Sequence, residues 1–183
     1  ACATSWHPTL SLPTTGNEYM DLIADGLKQR LIRFEDDQKY IVYVHQDKRR
    51  NYANPEEQVQ AESFLKLILT YRYPAQRIQQ FVQVQMGSET KEADIIVYAD
   101  EARKSPLIIV ECKKESVSEL EFARAADQAV SYAVAEGARY VWATSKLKNE
   151  YFEIPAKKPK DRITFPDVPQ FGVTELARFK FAK

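Results

Sequence analysis

The chain has 183 residues with 26 basic and 26 acidic side chains, so its formal net charge is zero and bulk charge gives no argument for a nucleic-acid or membrane partner. Apolar residues make up 44% and charged residues 28%, which reads as one soluble, globular domain with a substantial core. No apolar run approaches the roughly 18 residues that a membrane helix requires, which argues against a membrane-spanning helix.

The opening ACATSWHPTL lacks the basic start and apolar centre of a secretory signal, which points to the cytoplasm. Its mixture of Pro, Ser and Thr reads as an irregular arm. From Asn17, a suitable cap, the residues Met20, Ile23, Ala24 and Leu27 fall at i, i+3, i+4 and i+7, the spacing of a short amphipathic helix. RLIRFEDDQKYIVYVH then predicts two short strands around the turn EDDQ. Together these make residues 1–50 an N-terminal extension, a short helix plus a hairpin, packed on a core that begins at residue 51. QDKRRNY, from Gln46 to Tyr52, is a local basic cluster that reads as a loop.

NPEEQVQAESFLKLILTYRYP opens with Asn54 as N-cap and Pro55 at the first helical position, and the helix should end before Pro74. Its apolar stripe includes Ala61, Phe64, Leu65 and Ile68, and counting back by fours and sevens lands on Glu57. Three strand-like runs follow: FVQVQM (81–86), DIIVYA (94–99) and LIIVECK (107–113). The connections GSETKEA and DEARKSP are short, which predicts an antiparallel meander. A second helix runs from about Ser118 to Glu136, with Ser118 and Glu121 spaced as a capping box and Gly137 as its stop. Phe122, Ala126, Ala129, Val130 and Ala133 form its expected buried face. ARYVWATS reads as a buried strand, parallel to the third because a helix joins them. The remainder, 151–183, is proline-rich and reads as a tail packing on the domain or the start of a linker, with KKPKDR as a second basic loop.

The run LIIVECKKE raises a specific question, because a buried strand runs straight into an acid, a cysteine and two lysines with no turn signal between them. Side chains alternate across a strand, so Glu111 and Lys113 share one face and Cys112 takes the other. In a hairpin turning around DEARKSP, Asp94 lies beside Glu111. Two neighbouring carboxylates repel, and a divalent cation removes that conflict. Mg²⁺ prefers oxygen ligands and keeps several waters, so Asp94, Glu111 and the carbonyl of Cys112 are enough protein to hold it, and Mn²⁺ can substitute. Such an ion activates water and polarises a phosphate oxygen, while Lys113 stabilises developing negative charge. No His and nucleophile pair is present in the sequence pattern. His7 and His45 are single histidines with no assigned role, and Trp142 and the tyrosines read as core. Cys2 and Cys112 show no metal-like spacing, and Cys112 reads as a small buried hydrophobe of a reducing compartment.

The spacing of Asp94 followed by Glu111-x-Lys113 after an apolar strand resembles the PD-(D/E)xK nuclease superfamily. QAVSY in the second helix places Gln128 and Tyr132 one turn apart, and this Q-x-x-x-Y pattern is similar to the RecB-type branch and to the N-terminal nuclease domain of type I restriction enzyme R subunits. NPEEQVQAESFLKLI, the Ala93-Asp94 pair and VECKK resemble the R-subunit domain in particular, over about 51–145. The resemblance implies an α/β restriction-endonuclease-like core, helix, three strands, helix, strand, with a mixed central sheet flanked by helices. It also implies a Mg²⁺-dependent deoxyribonuclease with Asp94 and Glu111 on the metal and Lys113 as the catalytic lysine. Glu57 would be the first-helix acid, with Glu56 the competing choice, and Gln128 and Tyr132 would steady DNA or the lysine. Double-stranded DNA, a motor domain in the same full-length chain and methylation and specificity subunits are the implied partners. The five glycines form no phosphate-binding G-x-x-x-x-G-K-[ST] loop, so the implied motor is not encoded in this segment. The family often has a basic residue before the Ala-Asp pair, where this chain has Glu92 after Lys91. Lys48, Arg49 and Arg50 have two readings, contacts to DNA phosphates that weaken with salt, or a solvated loop. Two other functions stay open: a RecB-like repair or recombination nuclease, and a nuclease-fold module that binds DNA or protein without cutting.

Overall fold

The computed structural model describes residues 21–173. Asn17, Met20, Cys2, His7 and the rest of the expected N-terminal arm lie outside the described residues, as do residues 174–183. Helix α1 (Leu22–Lys28) is capped by Asp21, whose carboxylate accepts from the Ala24 N–H at 3.1 Å. Its packed face runs through Leu22, Ile23 and Gly26, whereas Ala24 and Leu27 are exposed, a rotation away from the expected stripe. Gly26 explains the rotation, because a Cβ there would lie 2.6 Å from the Leu65 side chain, and only its absence allows this close approach.

Strands β1 (Ile32–Glu35) and β2 (Tyr40–Tyr43) form the expected hairpin, and Asp36, Asp37 and Gln38 turn it with positive φ. The basic cluster expected as a loop is instead strand β3 (Lys48–Asn51), antiparallel to β2. No apolar alternation marks it, because β3 is the edge of this three-stranded sheet and charged side chains suit an edge. Helix α2 (Pro55–Leu69) starts where Asn54 accepts from the Glu56 N–H, with Pro55 in its first turn.

A six-stranded sheet follows in sequential order: β4 (Ile78–Met86), β5 (Glu89–Tyr98), β6 (Pro106–Cys112), β7 (Tyr140–Thr144), β8 (Asn149–Glu153) and β9 (Ile163–Phe165). All neighbours are antiparallel except β6 and β7, which run parallel through the crossover helix α3 (Glu119–Glu136). The β4–β5 connection is much tighter than GSETKEA suggests. Gly87 takes φ +63° and Met86 already pairs with Glu89, so Glu89 to Glu92 form a polar, solvent-facing strand end and Ala93 is the first buried residue of β5. Residues 149–153 and 163–165, expected within or beside a tail, supply two strands that extend the sheet past β7. Helix α3 carries the full capping box of Ser118 and Glu121, and Gly137 ends it at φ 72°.

The sheet divides the core into two layers by strand alternation. Ile95, Val97, Ile108, Val110, Cys112 and Trp142 face α2 and the small sheet, where they meet Phe64, Leu65, Ile32, Ile41 and Tyr43. Ala93, Ile96, Ile109, Val141 and Ala143 face Phe122, Ala126, Ala129 and Ala133 of α3. Val130 packs only at the margin of that layer, and Tyr132 is buried in its place. The molecule is thus the mixed α/β, restriction-endonuclease-like arrangement expected, with a central sheet between helices. Among the described residues no helix is long and apolar enough to cross a membrane.

Candidate active site

The two layers meet around the end of β6. Ile95 pairs with Val110, so one step further along this antiparallel ladder Asp94 lies opposite Glu111. The Asp94 carboxylate accepts from the Cys112 backbone N–H at 2.7 Å, which fixes it against the end of that strand. Its backbone carbonyl accepts from Gln60 of α2 at 3.0 Å. Glu111 is 2% exposed and turns toward α3, where one carboxylate oxygen accepts from Lys113 Nζ at 3.1 Å and from Gln128 Nε2 at 3.3 Å. Gln128 also donates to the Tyr132 hydroxyl at 2.6 Å. Lys113 donates to Glu56 at 2.9 Å and so ties the first turn of α2 to the end of β6.

The two candidate helix acids therefore occupy different surroundings. Glu56 sits on Lys113, whereas Glu57 is 5% exposed, accepts from the Tyr43 hydroxyl at 2.5 Å and faces Arg50 Nε at 3.5 Å. Both are close enough to Asp94 for their charge to act on it. Lys48 donates to the Gln80 carbonyl at 2.7 Å, and Arg49 is paired outward with Glu35 and Asp36. Arg50 lies over the Phe81 ring at 3.5 Å and faces Glu57 and Glu92. Of the three basic residues, Arg50 alone makes direct contact with one of the candidate acids of α2. His45 stacks on Phe64 and Trp142 is buried, so both contribute to packing.

Electrostatics mark the same place. Burial raises the Glu111 carboxyl to about 8 and the Asp94 charge adds to the effect, against the opposing pull of Lys113. Burial likewise raises Asp94 to about 6, moderated by the Cys112 N–H and by Lys113. Burial works against the Lys113 ammonium, but the Glu111 charge and the hydrogen bonds to Glu56 and Glu111 outweigh it, and its pKa is raised. Glu57 is also raised by burial, opposed by Tyr43 and Arg50. The second oxygen of Glu111 is buried without a hydrogen-bond partner.

That orphaned oxygen beside a second carboxylate is what a hard divalent cation would satisfy. Among the described residues no group of three or more His, Cys, Asp and Glu side chains is arranged to hold a metal. An ion here would therefore rest on Asp94, Glu111, main-chain oxygen and water, the sparse protein ligation that suits Mg²⁺.

Two partners escape the sequence reading. Gln60 and Tyr43 hold Asp94 and Glu57. Gln60 leaves a trace, since it is a polar residue in the apolar stripe of α2, four residues after Glu56. Tyr43 leaves none, because its contact with Glu57 is made only by folding.

No curated protein and no solved structure matches this chain. A family model does match, and it spans 55–169, from the first residue of α2 past the last strand of the sheet. It therefore includes Asp94, Glu111, Lys113, Gln128 and Tyr132 and leaves the small sheet outside. The chain belongs to the family described as type I restriction enzyme R protein N terminus.

Proposed function

We propose that the domain is a Mg²⁺-dependent DNA endonuclease of the PD-(D/E)xK kind, the hydrolase segment of a type I restriction-modification R subunit. The observation that carries this reading is the buried, unpartnered oxygen of Glu111 next to Asp94, with Lys113 bound to the same carboxylate. Asp94, Glu111 and the Cys112 carbonyl would hold Mg²⁺, or Mn²⁺ in its place. When bound, the ion supplies charge neutralisation at a phosphate oxygen and lowers the pKa of water.

The chain's own residues do the rest. The Cys112 N–H holds Asp94 in one orientation, and Gln128, itself bonded to Tyr132, holds Glu111. Lys113 stays cationic and places its ammonium where negative charge grows on a phosphate under attack. Glu56 restrains that ammonium from the α2 side, and Glu57 keeps Arg50 at the margin. Lys48, Arg49 and Arg50 would add phosphate contacts that weaken with salt.

The substrate is double-stranded DNA in the cytoplasm. The motor in the full-length chain and the methylation and specificity subunits would decide where the domain acts. The test is nicking of supercoiled plasmid in Mn²⁺ by the parent, Asp94→Asn and Glu111→Ala. Nicking by the parent that both variants lose supports the reading, and equal nicking by all three overturns it.

A further inference from the structure

Strands β6 and β7 run parallel, with Cys112 beside Thr144, and the Lys113 N–H donates to the Thr144 carbonyl at 2.8 Å. The turn that follows β7, Ser145 to Lys148, therefore rises from the same end of the sheet as Lys113. It is tightly built: the Ser145 N–H donates to the Lys148 carbonyl at 3.0 Å, the Leu147 N–H to Ser145 at 2.9 Å, and the Lys146 N–H to Thr144 Oγ1 at 3.2 Å. Lys146 adopts φ 72°, a conformation that a side chain of its size rarely takes. Two ion pairs anchor the turn on either side, Lys146 with Glu62 of α2 at 3.3 Å and Lys148 with Glu119 of α3.

What this anchored turn presents is Leu147, 73% exposed, the most exposed large apolar side chain among the described residues. A lone exposed leucine is ordinary, but one held out on a strained, doubly anchored turn beside the candidate site is not explained by packing. The turn begins directly after Thr144, whose carbonyl is bonded to Lys113, so a duplex that reaches Lys113 would lie over the strand ends that also carry this turn.

Resting on the nuclease reading, we infer that the Ser145–Lys148 turn is a DNA wedge. Leu147 enters the groove next to the phosphate to be cut and presses against a base step, while exposed Lys114 on the same rim meets the backbone. Leucine is among the apolar side chains that proteins insert in this way to unstack a step. Unstacking at the site would let the backbone bend toward Lys113.

The test uses the 183-residue chain with Asp94→Asn, so that DNA stays intact while Lys113 is kept, in Mn²⁺ with a duplex of about 20 base pairs carrying 2-aminopurine. Anisotropy reads affinity and 2-aminopurine fluorescence reads unstacking. Adding Leu147→Ala should weaken binding about tenfold and remove the fluorescence rise, with Leu147→Met restoring both. If Leu147→Ala binds as tightly with the same fluorescence, the wedge is overturned, the tip is left to a protein neighbour, and the nuclease reading stands. If no variant binds duplex, both are overturned.

Discussion

Glu111 gives one carboxylate oxygen to Lys113 Nζ at 3.1 Å and buries the other without a partner, so the residue is held but not satisfied. A protein optimised only for stability would not keep such an acid beside Asp94, since a buried carboxylate with an unsatisfied oxygen next to a second acid is costly.

The pH dependence of stability follows. Because the folded pKa of Glu111 is raised from 4.5 to about 8, the folded state holds its proton more firmly than the unfolded chain does. Its contribution is present below pH 4.5 and is lost as pH rises through about 8. Without metal, the protein should grow less stable from weakly acid to alkaline pH. Glu111→Gln should flatten that slope and gain about 1 to 3 kcal/mol at the alkaline end, since a tenfold change in proton affinity is worth about 1.4 kcal/mol and Asp94 shares the repulsion. Urea denaturation in chelator across this range checks both.

Lys113 is expected to act on the substrate rather than to hold metal. Lys113→Ala should abolish nicking, about 100-fold or more, by analogy with losing a preorganised charge stabiliser. It should bind Mn²⁺ at least as well as the parent, because a competing cation leaves Glu111. Calorimetry beside the plasmid assay separates the two effects.

The acids at the start of α2 should separate in the same way. Glu57, buried on Tyr43 and Arg50, is expected to cost about 1 to 3 kcal/mol of stability as Glu57→Ala, through the unpaired groups left behind. Glu56 is half-exposed, so Glu56→Ala should change stability by less than about 0.5 kcal/mol while lowering nicking through Lys113. Thermal melts and plasmid nicking on both variants test the contrast.

Gln128→Ala should leave the fold intact and weaken Mn²⁺ binding by about tenfold or more, the usual effect of losing the group that orients a metal-binding carboxylate. Tyr132→Phe should do less, since Gln128 keeps its bond to Glu111. Calorimetric titration of both variants reads the order.

The sequence made the central elements visible because their signals are local. Asn54-Pro55 and Ser118-x-x-Glu121 cap helices by contacts within one turn, and Gly137 ends α3 through its own φ. The pairing of Asp94 with Glu111 was legible because hairpin register follows from turn position. Strand β3 and the start of β5 were not, because Lys48 to Asn51 and Glu89 to Glu92 carry no apolar alternation and are held by backbone ladders. Strands β8 and β9 lay hidden among prolines and lysines, which gave turn signals without showing that Phe152 would pack onto the α3 layer. At the site, the ionic partner of Lys113 depends on where α2 meets the sheet, and helical phase could place Glu57 in the core-facing row without showing that Glu56 would reach the lysine.

The most direct test of the carboxylate pair is calorimetric titration of Mn²⁺ into the parent, Asp94→Ala and Glu111→Ala, since oxygen-rich sites hold Mn²⁺ well. Binding of one or two ions by the parent, lost in both variants, is the expected result. Indistinguishable titrations of the parent and both variants would contradict the assignment of a metal-dependent nuclease site to the end of β6.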